Sequence, residues 1–398
     1  MSKTFITDLH IEKVRHIENF DIPLSKSEMK HLIITGKNGS GKTSVLHALK
    51  ATCKYILDRR YSNLVHSRQS LAEKFTSDQT VDLLKSSIEF TPCDLFIDFS
   101  IDNKSVEAAS EAGKYIIVCF ETKRASNFIS PKSAEKISFD NTREIVPVAG
   151  KQFIQFMVNR FFEQLIAFKD RESEKVNQIE SWFGKIQQAF RDILQDPEAK
   201  MQFDDKTYNF NLIQNGRGLY NLNQLPDGYS SVLNLVSELI MRMESQNKSA
   251  YDVEGVALID EIETHLHVDL QKKILPFLTA FFPNIQFIVT THSPFVISSI
   301  KNAVICDLEK RIVTEDLSGY SYGTLVESYF GNDNYSDQLK SELNEYESLM
   351  KAEKLTLDQE ERLQDLEEKL NQLPKYWAPE LDFKLKQIQL EKADRATA

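Results

Sequence analysis

The sequence predicts an α/β fold, and three segments carry that prediction. The apolar run Leu32-Ile33-Ile34 leads into a glycine-rich loop and then into a helix-patterned stretch. A second apolar run, Val256–Ile259, ends in two adjacent carboxylates, Asp260 and Glu261. A third, Ile285–Thr290, follows a helix-patterned segment and ends at Thr291-His292. Short apolar strands that alternate with amphipathic helices and end in polar residues describe a mixed sheet whose chemistry collects at one edge.

The elements follow in order. Residues 5–24 read as a hairpin, with apolar positions at Ile6, Leu9 and Ile11 and again at Ile17, Phe20 and Ile22. Thr43 to about Leu57 has helical spacing (Val45, Leu46, Leu49, Cys53, Ile56), whereas Gln69–Asp82 is polar and weakly patterned. Ser87–Phe90, Leu95–Ile101 and Tyr115–Phe120 read as strands of an antiparallel addition to the core. Lys151–Leu194 is helical in pattern, and Asn215-Gly216-Arg217-Gly218 is a hairpin turn between two strands. Helices are expected at about Ser230–Met243 and Val268–Phe281. Beyond Lys310 the chain becomes charged. Leu363, Leu366, Leu370 and Leu373 mark a helix that Thr356 and Gln359 open as a capping box and Pro374 ends, with an earlier helix at about 336–351 folded back on it.

Bulk properties narrow the functional classes. No uncharged apolar run reaches the ~18 residues of a membrane span, and Met1–Asp8 holds no apolar leader, so neither a membrane anchor nor a signal peptide is expected. Four scattered cysteines without a CxxC pair fit a reducing cytoplasm. The net charge of −11 disfavours a protein dedicated to coating nucleic acid, despite local basic pairs at Arg59-Arg60 and Lys123-Arg124.

The chemistry resides in four segments. Gly36-Lys37-Asn38-Gly39-Ser40-Gly41-Lys42-Thr43 fulfils the GxxxxGK[ST] P-loop pattern between a strand and a helix, with Ser44 next in line. Glycines let successive N–H groups face phosphate oxygens; Lys42 would reach the β- and γ-phosphates of ATP, and Thr43 would ligate Mg²⁺. Asp260 suits the metal, and Glu261 suits polarising the attacking water, since a general base stands beside the γ-phosphate. His292 at the next strand end could contact the γ-phosphate and hold that water. Leu225-Pro226-Asp227-Gly228-Tyr229-Ser230-Ser231 opens a helix whose N-terminus could meet the phosphate of a nucleotide on another subunit, or could be a simple cap by Asp227 or Ser230. His265 and His267 are two residues apart and share no helical face, so a second metal site is not expected there.

With these motifs in this order, the chain resembles the RecF/OLD-like, AAA-like branch of the ABC-type ATPases found in phage-defence systems. Glu261-Ile262-Glu263-Thr264-His265-Leu266-His267 and Leu225–Ser231 carry the resemblance, over residues 1–310 and less firmly over Tyr322-Gly323 to Phe330-Gly331. The resemblance implies an ABC-type head, with a mixed-sheet nucleotide lobe at about 1–150 and 250–310 and a helical, signature-bearing lobe at about 151–249. Residues 311–398 would form a C-terminal helical extension for partner binding or oligomerisation. It implies that two heads sandwich ATP, with Gly228 acting in trans and Ser230 or Ser231 replacing the signature serine that Pro226 displaces. Gln152 and Gln155 are the candidates for the glutamine loop, and Arg124 for a basic group near the nucleotide.

About 185 residues separate the P-loop from Gly228 without a long heptad repeat or CxxC hook, which excludes a chromosome-tethering arm. The roughly 90 residues after the head show no acid-ended apolar strands, so a built-in nuclease of the OLD kind is not expected. The resemblance is therefore to nuclease-less ATPases of the Septu and retron type. It implies a homo-oligomer, at least a head-to-head dimer and up to a hexamer, that holds a separate HNH nuclease effector under ATP control, with any nucleic acid contacted through the oligomer or the effector. The alternative is a RecF-like repair or recombination ATPase whose ATP-bound dimer binds DNA.

Overall fold

The computed structural model describes residues 3–66, 94–124, 127–133, 135, 137, 144–245, 253–319, 325, 337–352 and 356–372. The chain divides into two compact units, Met1–Tyr322 and Gly323–Ala398. A six-stranded sheet forms the centre of the first. In spatial order it comprises β12 (Ile312–Glu315), β11 (Ala303–Asp307), β3 (His31–Thr35), β10 (Ile285–Thr290), β9 (Glu254–Ile259) and β5 (Tyr115–Phe120). All neighbours pair in parallel except β12, which closes the edge antiparallel to β11. The first unit runs past residue 310, because after β11 the chain turns back along β12 as one more strand of the sheet.

A parallel strand has helices or other layers on both faces and reads as a continuous apolar run. β3, β5 and β10 are buried at every position. That rule corrects one expectation. Tyr115–Phe120 lies in the main sheet beside β9 and takes no part in an antiparallel addition. Among the described residues of these three segments, Asp94–Phe99 (β4) does, pairing with β1 (Ile6–Val14), which pairs in turn with β2 (Ile17–Pro23). Along β4, buried Leu95 and Ile97 alternate with exposed Asp98, as a sheet with one wet face requires. The segments Gln69–Asp82 and Ser87–Phe90 lie outside the described residues, as do Pro374 and most of 320–336.

Helix α1 (Lys42–Leu57) buries Val45, Leu46, Leu49, Cys53 and Ile56 in one core with Leu32, Ile34, Val256, Leu258 and Ile288. Each such side chain contributes ~1.5–3 kcal/mol when fully buried, so the helix that opens at the P-loop is anchored against the strands that carry the acids. A short helix, α2 (Asn103–Glu111), connects β4 to β5 and is N-capped by Asp102.

The helical lobe consists of α3 (Phe153–Lys169) and α4 (Ser173–Leu194), against which packs a small sheet of β6 (Lys200–Asp204), β7 (Asn209–Gln214) and β8 (Gly218–Asn221). Phe161, Phe162, Phe183, Phe203 and Phe210 form a continuous aromatic cluster between them. Helix α5 (Asp227–Glu244) follows, buried from Ser230 to Glu244 apart from half-buried Asn234. Arg242, fully buried on it, donates to Glu238 at 2.7 Å and to the carbonyls of Ile117 and Val146 at 3.0 and 3.1 Å. The other Glu238 oxygen accepts the Gly150 N–H. Those bonds satisfy a charge that would otherwise be costly to bury, and they lash α5 to β5. Two further helices, α6 (Val268–Phe281) and α7 (Pro294–Ile297), flank β10.

In the second unit, α8 (Asp337–Lys351) and α9 (Leu357–Gln372) form the expected hairpin. The Thr356 N–H donates to Gln359 at 3.0 Å, Arg362 bridges Glu345 through two bonds, and Tyr346, Leu363 and Leu366 are buried. Among the described residues no helix is long and apolar enough to cross a membrane, and Cys53, Cys119 and Cys306 are buried free thiols.

Candidate functional site

The register of the main sheet brings the motif-bearing segments together. Thr290 pairs with Ile34 and Val289 with Ile259. The P-loop, the acids and His292 therefore leave the same edge of three adjacent strands. Sequence distance is irrelevant to this; the parallel pairing alone fixes it.

The loop after β3 turns through three glycines with positive φ, Gly36 (134°), Gly39 (86°) and Gly41 (98°), the last occupying the N-cap of α1. The Lys42 ammonium folds into the loop and donates to the carbonyls of Gly36 at 2.8 Å and Lys37 at 3.0 Å. Burial lowers its pKa, while Glu261, Glu263, Asp260 and Asp307 oppose that shift. Lys42 thus waits inside the loop, with the carboxylates close enough to be felt. Asn38 and Gly39 are exposed, Ser40 is buried and Ser44 is half-buried. From outside, Glu309 accepts the Lys37 N–H at 3.3 Å and pairs with its ammonium at 3.0 Å.

Asp260 is buried and sits among three hydroxyls. Thr290 donates at 2.7 Å and Thr122 at 2.9 Å, and Thr43 lies at 3.4 Å. Thr43 is itself exposed, and its long contact leaves the hydroxyl free to turn toward a cation between it and the acid. Mg²⁺ keeps most of its ligands as water and phosphate and takes one or two from protein. Thr43 and Asp260 fit that ion; among the described residues no group of three or more His, Cys, Asp or Glu could hold a metal unaided.

Glu261 adopts φ 44°, a left-handed conformation that costs a non-glycine residue ~1 kcal/mol or more. Two partners hold it there. Its N–H donates to the Thr290 hydroxyl at 2.7 Å, and its carbonyl accepts from Arg124 at 2.8 Å. The strained turn lifts the Glu261 side chain out of the sheet, half-buried, with the Thr264 hydroxyl at 3.3 Å. Glu263, two residues on, accepts the main-chain N–H of His292. Burial and the Lys42 charge lower the His292 pKa from its ordinary 6.5, which keeps the imidazole neutral at pH 7.

The remaining candidates lie elsewhere. Helix α5 begins at Asp227, with Pro226 in the N-cap position and no side-chain cap from Asp227 or Ser230. Gly228 packs on the turn that follows the acids: a Cβ there would lie 2.8 Å from the His265 carbonyl. His265 has φ 66° and His267 is the N-cap of α6. Gln155 donates to the Ser133 carbonyl and to Asn159, and Gln152 ends a 3₁₀ turn before α3, so the structure gives neither a contact with the acids. Thr122, in the loop after β5, makes that contact instead. Arg124 is buried and faces the turn of the acids, its donors committed to protein oxygens. Thr122 and Thr290 carry no spacing signature, which is why the sequence did not mark them.

A family described as "AAA domain, putative AbiEii toxin, Type IV TA system" matches residues 128–298. The "Septu protein PtuA" of Bacillus mycoides (strain KBAB4) is 25% identical over 389 residues, covering 93% of this chain and 51% of its own length. The chain is thus similar to a Septu protein over most of its length. The "Retron Ec83 probable ATPase" of Escherichia coli is 33% identical over 148 residues, 35% of this chain and 27% of that protein. The chain therefore spans about half the length of the Septu protein. Among solved structures, the SMC head bound to the C-winged helix domain of ScpA overlaps 79% of this chain and 99% of its own, with a TM-score of 0.39 and 14% identity.

Proposed function

We propose that this chain binds ATP with Mg²⁺ and hydrolyses it, acting as the regulatory ATPase of an antiviral defence assembly. The observation that carries the reading is the convergence of Lys42, Asp260, Glu261 and His292 at one edge of three neighbouring strands. Gly36–Thr43 cradle the phosphates, and Lys42 exchanges its loop carbonyls for the β- and γ-oxygens. Thr43 and Asp260 hold the metal, which when bound neutralises charge developing on the phosphates. Glu261 orients the attacking water and draws its proton, and neutral His292 supports that water from the end of the neighbouring strand. Thr122 and Thr290 fix the Asp260 carboxylate so that it meets the metal side in one orientation.

The head pairs with a second head, each presenting half-buried Gly228 at the start of α5 toward the other's nucleotide; Ser230, expected beside it, is buried within its own chain. The 311–398 extension contributes to partner binding or oligomerisation, and the effector held is a separate HNH-type nuclease. The names of the Septu and retron relatives support the defence setting, and the net charge of −11 favours a protein-holding role over a DNA-coating one.

The test is steady-state ATP hydrolysis together with native mass, with and without ATP, for the natural chain and Glu261→Gln. The reading expects Mg²⁺-dependent turnover in the natural chain, and in the variant a loss of turnover with a larger, ATP-held assembly. Unchanged turnover and unchanged mass in Glu261→Gln would remove Glu261 from its role. Co-purification with an HNH protein encoded beside this gene, released or retained according to nucleotide, decides the effector.

A further inference from the structure

Arg124 is heavily engaged beside the acids, and its partners come from three parts of the chain: its own loop, the turn at 260–262 and the start of α5. Its Nη1 donates to the carbonyls of Asp260 and Glu121, and its Nη2 to those of Glu261 at 2.8 Å and Ile262 at 3.4 Å. Its Nε donates to the Ser231 hydroxyl, on the first turn of α5, at 3.2 Å. Both groups are buried, Arg124 at 6% exposure and Ser231 at 2%. A rigid planar fork that spans three consecutive carbonyls on one side and a helix on the other fixes both in orientation as well as distance.

A second contact joins the same two elements without Arg124. Gly228, three residues before Ser231, lies so close to the turn that a Cβ would sit 2.8 Å from the His265 carbonyl. The start of α5 is therefore held at both ends of the 260–265 turn. That turn contains Glu261 and His265 in left-handed backbone conformations, which persist only where surroundings over-determine them.

We propose that Arg124 is a positioning residue that pins the turn bearing Asp260 and Glu261 to the first turn of α5, so that the two respond to nucleotide as one body. The proposal deepens the ATPase reading above and rests on it for the nucleotide. Glu261 then cannot move to its working position without carrying the start of α5, where half-buried Gly228 and Tyr229 are offered to a second head. The acids and the pairing surface report the same state. The Arg124 donors are taken up by protein oxygens; burial works against its charge, and Glu263, Asp260 and Glu261 favour it.

Two variants separate the parts. Arg124→Gln removes the fork, whereas Ser231→Ala removes only the link to α5 and leaves the carbonyl bonds in place. Amide hydrogen exchange is followed on the full chain, with and without Mg²⁺-ATP, at residues 227–232 and 260–266. Without nucleotide, Arg124→Gln is expected to speed exchange in both segments by about 10-fold or more, and Ser231→Ala only in 227–232. With Mg²⁺-ATP, the natural chain gains protection in both segments; Ser231→Ala gains it at 260–266 but not at 227–232. Turnover by Arg124→Gln is expected to fall ~10-fold with nucleotide affinity changed less than ~3-fold, a split that loss of folding alone would not give.

Exchange at 227–232 that matches the natural chain in both variants overturns the proposal. Should Arg124→Gln fail to fold, Ser231→Ala decides. Should the natural chain take up no ATP, the ATPase reading falls, and the nucleotide-free exchange still decides whether Arg124 joins the two turns.

Discussion

The Thr43 hydroxyl lies 3.4 Å from Oδ1 of Asp260, although 217 positions separate them in the chain. One residue opens α1 and the other closes β9, and they meet because β10 pairs in parallel with both β3 and β9. A cation placed between them is within reach of both groups, which is the geometry that a nucleotide-bound Mg²⁺ requires.

Lys42→Ala tests the cradle. The ammonium fills the loop and makes two bonds to its carbonyls in the nucleotide-free chain. Its removal is expected to weaken Mg²⁺-ATP binding by ~2–3 kcal/mol, since a buried charge-assisted contact to phosphate is lost. Equilibrium binding of a fluorescent ATP analogue measures this, and a change below twofold would contradict it.

Glu261→Gln and Glu263→Gln should differ in kind. Glu261 faces the site from a strained turn, so its amide variant is expected to keep nucleotide affinity and lose ~10²–10³-fold in kcat. Glu263 holds the main-chain N–H of His292, and the amide oxygen can still accept that bond. Its variant is expected to retain turnover within ~10-fold. Single-turnover rates with saturating nucleotide separate the two.

Two glycine substitutions have opposite expected signs. Gly228→Ala places a methyl group 2.8 Å from a backbone carbonyl that cannot rotate aside, and should destabilise the fold by ~1–3 kcal/mol. Gly184 lies exposed within α4, and an added Cβ meets nothing within 4 Å. Gly184→Ala should therefore stabilise by ~0.5–1 kcal/mol through helix propensity. Urea unfolding midpoints at constant m-value decide both.

His31 gives a pH signature. Burial lowers its pKa from 6.5 to about 4, and Nδ1 accepts the Phe287 N–H at 3.0 Å, so the ring is neutral in the folded chain. Between pH 6.5 and about 4 the unfolded chain binds a proton that the folded chain refuses, so stability falls as pH falls through that window. The loss attributable to this ring amounts to as much as ~3 kcal/mol. His31→Gln, which keeps an acceptor but no titrating group, should flatten that part of the stability curve. An unchanged slope would contradict the assignment.

The sequence revealed the P-loop, the acids and His292 because each lies at the end of a short apolar run and obeys a local spacing rule. It did not reveal what surrounds them. Thr290, at the end of β10, and Thr122, in the loop after β5, bind Asp260, and hydroxyls carry no spacing signal. Arg124 was a candidate for a basic group near the nucleotide; its partners at 231 and 260–262, over a hundred positions away in sequence, set it against the turn of the acids. Gln155 was a candidate for the glutamine loop, but its amide is spent on Ser133 and Asn159 beside α3. β5 was misassigned to an antiparallel sheet because a fully apolar six-residue run does not disclose its neighbour; only burial on both faces marks it as parallel. β11 and β12 went unrecognised, and with them Glu309, which clamps Lys37 from outside the loop.

The most direct measurement is a structure of the full chain with a non-hydrolysable ATP analogue and Mg²⁺. The account predicts the β- and γ-phosphates inside the Gly36–Thr43 loop, the metal ~2.0–2.1 Å from the Thr43 hydroxyl and beside Asp260, and Glu261 and His292 flanking the γ-phosphate. Phosphates bound anywhere else, or a loop that stays closed on Lys42 at saturating analogue, would contradict it.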